Sequence, residues 1–247
     1  MTTKEVDAID KVDLEEEVPR NQVWPARAPV MEEMFRMVFG SRQIRGLEVG
    51  VWFGIGSTQI WLSNLQPGSE FYLVDAWRPY SSEADFEDTG FNYRKVDALM
   101  DEAYMSAYAQ VRRFEANPAN RDTKLHLVRG DSAAFMAALV DDSFDFIYID
   151  GDHKYEKVKS DLQQARRLVR KRGISVICGD DLDQVPSPEL YEEARGHLDQ
   201  DFLREAGYHP GVLAALMEEF PGVQMCNGFW WVCFVDGRID HQLIQSL

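Results

Sequence analysis

The sequence predicts an α/β fold: a single doubly wound, mostly parallel sheet closed by a C-terminal antiparallel hairpin. Three observations carry this. Strand-like apolar runs alternate with segments of helical periodicity, which specifies parallel strands and right-handed crossovers. Two of those runs, FDFIYIDGDH at 144–153 and ISVICGDD at 174–181, end in acidic clusters where a parallel sheet opens its crevice. Finally, two short apolar runs within 223–235 meet at Asn227-Gly228, a turn dipeptide with no room for a crossover helix.

In chain order, residues 1–22 are polar and acidic, with Glu15, Glu16 and Glu17 in a row, and are expected to form a flexible arm. The domain is expected to span 23–247. VMEEMFRMVFG carries apolar residues at helical spacing and predicts a helix on one face or edge of the sheet. Strands are predicted at 46–51, 71–76, 125–129, 144–150 and 174–178, with helices at 57–65, 132–139 and 155–169. Five such strands and the hairpin pair make seven. The connections 77–124 and 182–210 are longer than the fold needs. The first carries Trp77, Tyr80, Phe86, Phe91, Tyr93, Tyr104 and Tyr108, and is expected to form either a lid over a substrate or an added packed helix.

A chain of 247 residues with 45% hydrophobic content can bury a full core as one domain. Its net charge of −16 argues against a nucleic-acid partner, and the basic run at 166–172 sits where a helix ends and its dipole favours cations. Cys178, Cys226 and Cys233 lie in apolar runs without metal or redox spacing and are expected to be reduced core residues. No apolar run reaches the ~20 residues of a membrane span, and the N-terminus is unlike a secretory signal, so a cytoplasmic protein with no membrane partner is expected. A homodimer through the arm or the lid is compatible with the sequence.

Leu47-Glu48-Val49-Gly50-Val51-Trp52-Phe53-Gly54-Ile55-Gly56-Ser57-Thr58 places a glycine turn between a strand and a helix that Ser57 or Thr58 can cap. It is neither G-x-G-x-x-G in register nor a phosphate loop, and Glu48 opposes a pyrophosphate. Asp75 ends the second strand, where a carboxylate can accept from both ribose hydroxyls, and Asp131 ends the third, where it can meet an exocyclic amine. Acids at three strand ends suit a cationic cofactor with a ribose and an adenine, S-adenosylmethionine rather than NAD. Asp150, Asp152, His153, Asp180 and Asp181 should converge in one crevice, where carboxylates and an imidazole suggest a hard divalent cation and a base.

The Glu-x-Gly-x-x-x-Gly run, strand-ending Asp75, Gly130-Asp131-Ser132, and Ile-Asp-Gly-Asp-His followed by Tyr155 and Glu156 resemble the class I S-adenosylmethionine-dependent methyltransferases. More narrowly, residues 44–236 resemble the macrocin and novobiocin type of natural-product O-methyltransferase. The resemblance implies a Rossmann-like methyltransferase fold and a cofactor bordered by Glu48, Gly50, Asp75, Asp131 and Ser132, with Gly54, Ser57, Trp77 and Asp150 as further candidates. It also implies magnesium on Asp150, Asp180 and Asp181, with Asp152 or His153 taking the proton.

Such a metal would lower the pKa of a sugar or other small natural-product hydroxyl, which is too weak an acid by itself. The structural alternative for Asp180-Asp181 is a turn or cap after the strand. Tyr80 and His209 are candidate substrate contacts. A metal-independent enzyme with His153 as sole base is the first alternative. An NAD-dependent oxidoreductase and a non-catalytic cofactor-binding protein come from other classes, and the former conflicts with Glu48 and with Gln59 at the third glycine's place.

Overall fold

In the computed structural model, residues 20–23, 25–78 and 93–243 are described, 93–98 as backbone alone. Almost all of the acidic arm, and Tyr80, Phe86 and Phe91 of the first long connection, lie outside the described residues. The strands are β1 (Arg45–Val49), β2 (Glu70–Asp75), β3 (Lys124–Arg129), β4 (Phe146–Ile149), β5 (Ile174–Gly179), β6 (Gln224–Cys226), β7 (Phe229–Val235) and β8 (Arg238–Asp240). The helices are α1 (Ala28–Phe39), α2 (Ser57–Asn64), α3 (Tyr93–Glu115), α4 (Ser132–Ala137), α5 (Tyr155–Leu168), α6 (Pro188–Ala194) and α7 (Pro210–Glu219).

The strands form one sheet in the order β3-β2-β1-β4-β5-β7-β6, with β8 also on β7. The first five are parallel to their neighbours and β7 is antiparallel to β5. β4 and β5 are buried nearly throughout because both faces are covered, which is why they read as continuous apolar runs. On one face Phe35 of α1 and Trp61 of α2 pack on Phe146, with ring centroids 5.1 and 4.8 Å apart. On the other, Leu162 and Ala165 of α5 and Val212 and Leu216 of α7 pack against Leu47, Ile147 and Ile177.

Of the first long connection, the described part is largely the 23-residue helix α3, which buries Leu99, Ala103, Ala107 and Val111 against the core. Cys178 and Cys233 are buried, Cys226 is partly buried, and all three are free thiols. No described helix is long and apolar enough to cross a membrane.

Strand order reverses between β1 and β4, the place where open parallel sheets form their ligand crevice. There the backbones close together: a Cβ on Gly50 would lie 1.6 Å from the Asp150 carbonyl oxygen. The hairpin forms as expected, with Cys226 opposite Phe229 across a two-residue turn whose Asn227 and Gly228 have φ of 53° and 85°. The eighth strand is a difference from the seven expected. Asp236-Gly237 makes a second such turn that pairs β8 with β7.

Gly228 also backs onto a guanidinium, since a Cβ there would lie 2.3 Å from Nη2 of Arg27. Gly228→Ala is therefore expected to destabilise the fold by about 1–3 kcal/mol, from the positive φ and the clash together. A urea midpoint equal to that of the wild type would show that this turn is not held against Arg27.

Candidate active site

The glycine turn after β1 is held from below by acids. Glu48 is fully buried, and its Oε1 accepts a 2.6 Å hydrogen bond from Ser57 Oγ at the start of α2. Oε2 is buried beside Thr58 without a well-formed hydrogen bond. Burial pushes the Glu48 carboxyl up to about 8, with Ser57 opposing.

Asp75 reaches back to the turn rather than outward. Its Oδ2 accepts from the amides of Val51 and Trp52, both at 2.9 Å, and its Oδ1 accepts from Trp77 N at 2.7 Å. Burial still raises its pKa, against the pull of those three amides. Both oxygens are thus already engaged by the turn, and only Oδ1 keeps a lone pair. Trp77 is almost fully buried, donates from Nε1 to the Trp52 carbonyl at 2.9 Å and packs edge-on to Tyr104. Gly54 lies against Ala107 of α3.

At the end of β3, Asp131 is the N-cap of α4, its Oδ1 accepting from Ala134 N at 2.9 Å. Its other oxygen lies 3.4 Å from Arg78. Ser132 Oγ lies 2.9 Å from both carboxylate oxygens of Asp161 on α5. Asp161 is buried, which pushes its carboxyl up to about 7. Nothing in the sequence pattern singled it out.

The ends of β4 and β5 bring the remaining acids together around two histidines. His153 Nδ1 lies 2.8 Å from Asp201 Oδ1, and Nε2 lies 3.0 Å from Asp181 Oδ2. The His209 ring lies 4.3 Å from that of His153, and its Nδ1 is 2.9 Å from Asp183 Oδ2. Asp150 accepts from Tyr148 OH at 3.1 Å, and burial followed by the charges of Asp181 and Asp180 drives its pKa well up. Asp152 instead accepts from Lys154 N at 2.8 Å, and burial raises its pKa.

A cation from the far end of the chain completes the cluster. Arg27, 7% exposed just before α1, pairs through Nη1 with Asp180 and, at 3.6 Å, with Asp181; Nη2 lies 3.5 Å from Asp183. Its Nε donates to the Asn227 carbonyl at 2.6 Å. Burial pushes the Asp180 carboxyl up to about 7, Asp181 adding and Arg27 opposing. Burial would raise Asp181 too, but the charge and hydrogen bond of His153 outweigh it and hold that carboxyl low.

Of the five residues expected to converge, Asp150, His153 and Asp181 bring ligand atoms within 4.8 Å of one another, Asp152 accepts from its own loop and Asp180 is turned to Arg27; of the two candidate substrate contacts, His209 joins the cluster and Tyr80 lies outside the described residues. Among the described residues three groupings bring ligand atoms within 4.8 Å of one another: Asp150, His153 and Asp181; His153, Asp201 and His209; and Asp181, Asp183 and His209. Asp180 belongs to none. Asp150, Asp180 and Asp181, the carboxylates expected to hold magnesium, do not make up one of these groupings, each of which includes an imidazole.

A family model for the methyltransferase domain matches residues 47–182, more than half of the chain. The chain belongs to the methyltransferase domain family. Comparison with curated protein sequences gives no match. Among solved structures, this methyltransferase is similar to an O-methyltransferase from Bacillus cereus in complex with SAH, at 17% identity over 92% of this chain and 93% of that one, with a TM-score of 0.51. It is also similar to TomG from Streptomyces achromogenes, an O-methyltransferase involved in tomaymycin synthesis and crystallised with SAM. That match has 14% identity over 90% and 84% of the two chains and a TM-score of 0.52. A Corynebacterium glutamicum protein matches at 12% identity over 94% of both chains, with a TM-score of 0.53. At these identities the likeness is one of fold.

In this methyltransferase, the buried Asp161 of α5 makes stability depend on pH. Its carboxyl is raised from 3.8 to about 7, so the fold keeps a proton that the unfolded chain has lost. That contribution is present below pH ~4 and disappears as pH rises through ~7. Asp161→Asn should flatten the fall in unfolding free energy between pH 5 and 8 by at most about 3 kcal/mol. Urea titrations at these two pH values check this, and equal falls in both proteins would show that Asp161 does not hold its proton.

Proposed function

We propose that the protein is an S-adenosylmethionine-dependent O-methyltransferase acting on a hydroxyl of a sugar or other small natural product. The observation that carries this reading is a carboxylate-oriented imidazole, His153, three residues after Asp150, whose backbone packs against Gly50 of the glycine turn in a methyltransferase domain. The donor chemistry suits the cofactor. The partly exposed oxygen of Asp131 and the remaining lone pair of Asp75 are acceptors for hydroxyl and amine groups, and the Gly130 side of the crevice is open, a Cβ there meeting nothing closer than 4.0 Å. In this reading Glu48, Gly50, Gly54, Ser57, Asp75, Trp77, Asp131, Ser132 and Asp150 shape the cofactor's surroundings. When bound, S-adenosylmethionine supplies an electrophilic methyl group.

The protein's own share is to hold the acceptor hydroxyl and remove its proton. Both ring nitrogens of His153 face carboxylates, Nδ1 Asp201 and Nε2 Asp181, the pattern of an imidazolium, so His153 becomes a base only once Nε2 gives up its proton and parts from Asp181. The acceptor hydroxyl then takes the place of Asp181 at Nε2, and Asp201 at Nδ1 fixes the tautomer and steadies the imidazolium that forms again as the hydroxyl's proton is taken. Asp152 is the second candidate base. His209, held by Asp183 and tilted against His153, lines the acceptor side. A metal-assisted version is favoured only by the grouping of Asp150, His153 and Asp181, and it requires the 3.0 Å contact between His153 and Asp181 to open.

Calorimetric titration with S-adenosylmethionine and S-adenosylhomocysteine should show binding to the wild type and, equally, to His153→Gln. Turnover of the variant should fall by about 10²- to 10⁴-fold. Absence of binding to the wild type would overturn the cofactor, and unchanged turnover would overturn the base.

A further inference from the structure

Two of the three carboxylates expected to bind a metal already have a cation. We infer that the Arg27 guanidinium takes the place of the divalent ion in this site, balancing Asp180, Asp181 and Asp183 as a built-in charge. The inference deepens the proposed function, because it concerns how the same reacting site is balanced.

All three guanidinium nitrogens are committed: Nη1 to Asp180 and Asp181, Nη2 to Asp183, and Nε to the Asn227 carbonyl. The oxygen of Asp180 that faces Nη1, Oδ1, also accepts from Asp181 N at 2.9 Å, and the Asp180 carbonyl accepts from Trp230 Nε1 at 2.9 Å. The guanidinium is enclosed by the Asn227-Gly228 turn, where a glycine leaves the room that any side chain would fill. Arginine does not lose its charge at any working pH, so unlike a lysine or a histidine it cannot make way by deprotonation. A metal ion on Asp180 would have to displace a buried guanidinium from one of its carboxylates.

The consequence reaches the acceptor. A fixed monovalent cation paired to three carboxylates lowers a hydroxyl's pKa less than a divalent ion in direct contact with it does. Within the proposed class of small natural-product hydroxyls, turnover then favours those that are already acidic, phenols and enols, which narrows the acceptor away from sugar alcohols.

Manganese binding to the chelator-treated full-length protein, read by the electron paramagnetic resonance of the free ion, tests this. The wild type should show no stoichiometric site, while Arg27→Met and Arg27→Gln should bind one ion at least about tenfold more tightly than the wild type. Adding Asp181→Asn should remove that gain. One tightly bound ion in the wild type, lost in Asp150→Asn, would overturn the inference, as would folded Arg27 variants, judged by circular dichroism, that gain no site. Titrating the same wild-type sample with S-adenosylmethionine tests the cofactor separately, so either idea can fail without the other. Turnover of a phenol in the presence of chelator should persist, and its loss with rescue by magnesium would also count against Arg27.

Discussion

The architecture at the carboxyl edge of the sheet depends on one constraint: carboxylates that leave water must find amides or cations. An unpaired ionised group in the interior is costly enough that it neutralises itself or is not found. Each acid at this edge meets the constraint differently. Asp75 uses three backbone amides, Asp131 an α4 amide, Asp181 an imidazole and Asp180 a guanidinium. Glu48 and Asp161 each have a hydroxyl instead, and burial raises both, to about 8 and about 7. Because one of those partners, Arg27, also donates to the Asn227 carbonyl, satisfying the acids ties the start of α1 and the hairpin turn to the strand ends.

Asp75 shows how this couples fold to function. A strand-ending acid is easily read as a ligand-facing group, yet here the carboxylate first builds the glycine turn by accepting from Val51 and Trp52. Those amides belong to residues forced into an unusual path, Trp52 having a φ of 52°. A turn with its amides turned inward needs an acceptor beneath it, and Asp75 is placed there by the parallel register that sets Val49 beside Val74. Whatever ligand the crevice takes meets a turn already shaped by this side chain.

The fold was legible because parallel strands buried on both faces leave long apolar runs, and a two-residue Asn-Gly loop admits little besides a hairpin. The same chemistry at Asp236-Gly237 was present and overlooked, since β8 is only three residues long and half polar. The site was legible where its residues follow strands: Asp150, His153, Asp180 and Asp181 all fall within a few residues of a strand end. Arg27, Asp161, Asp183 and Asp201 were not. Arg27 lies more than 150 residues from its partners, Asp161 is one acid on a charged helix, and Asp201 sits in an irregular connection. For these, the choice of partner is made by tertiary packing, which no local spacing encodes.

Three adjacent acids at two strand ends are equally consistent with a metal and with an internal cation, because both serve the same electrostatic need. What separates them is geometry around the acids rather than the acids themselves. A metal site gathers ligand atoms around one point, whereas a guanidinium spreads its partners along a plane with one carboxylate to each edge. Asp180 and Asp183 lie on different nitrogens of Arg27, and Asp180 shares no close grouping with the other ligand atoms. The second arrangement is the one present. Its dependence on a residue preceding α1 makes the N-terminal end of the domain part of the reacting site's electrostatics, and changes there should be felt at the strand ends.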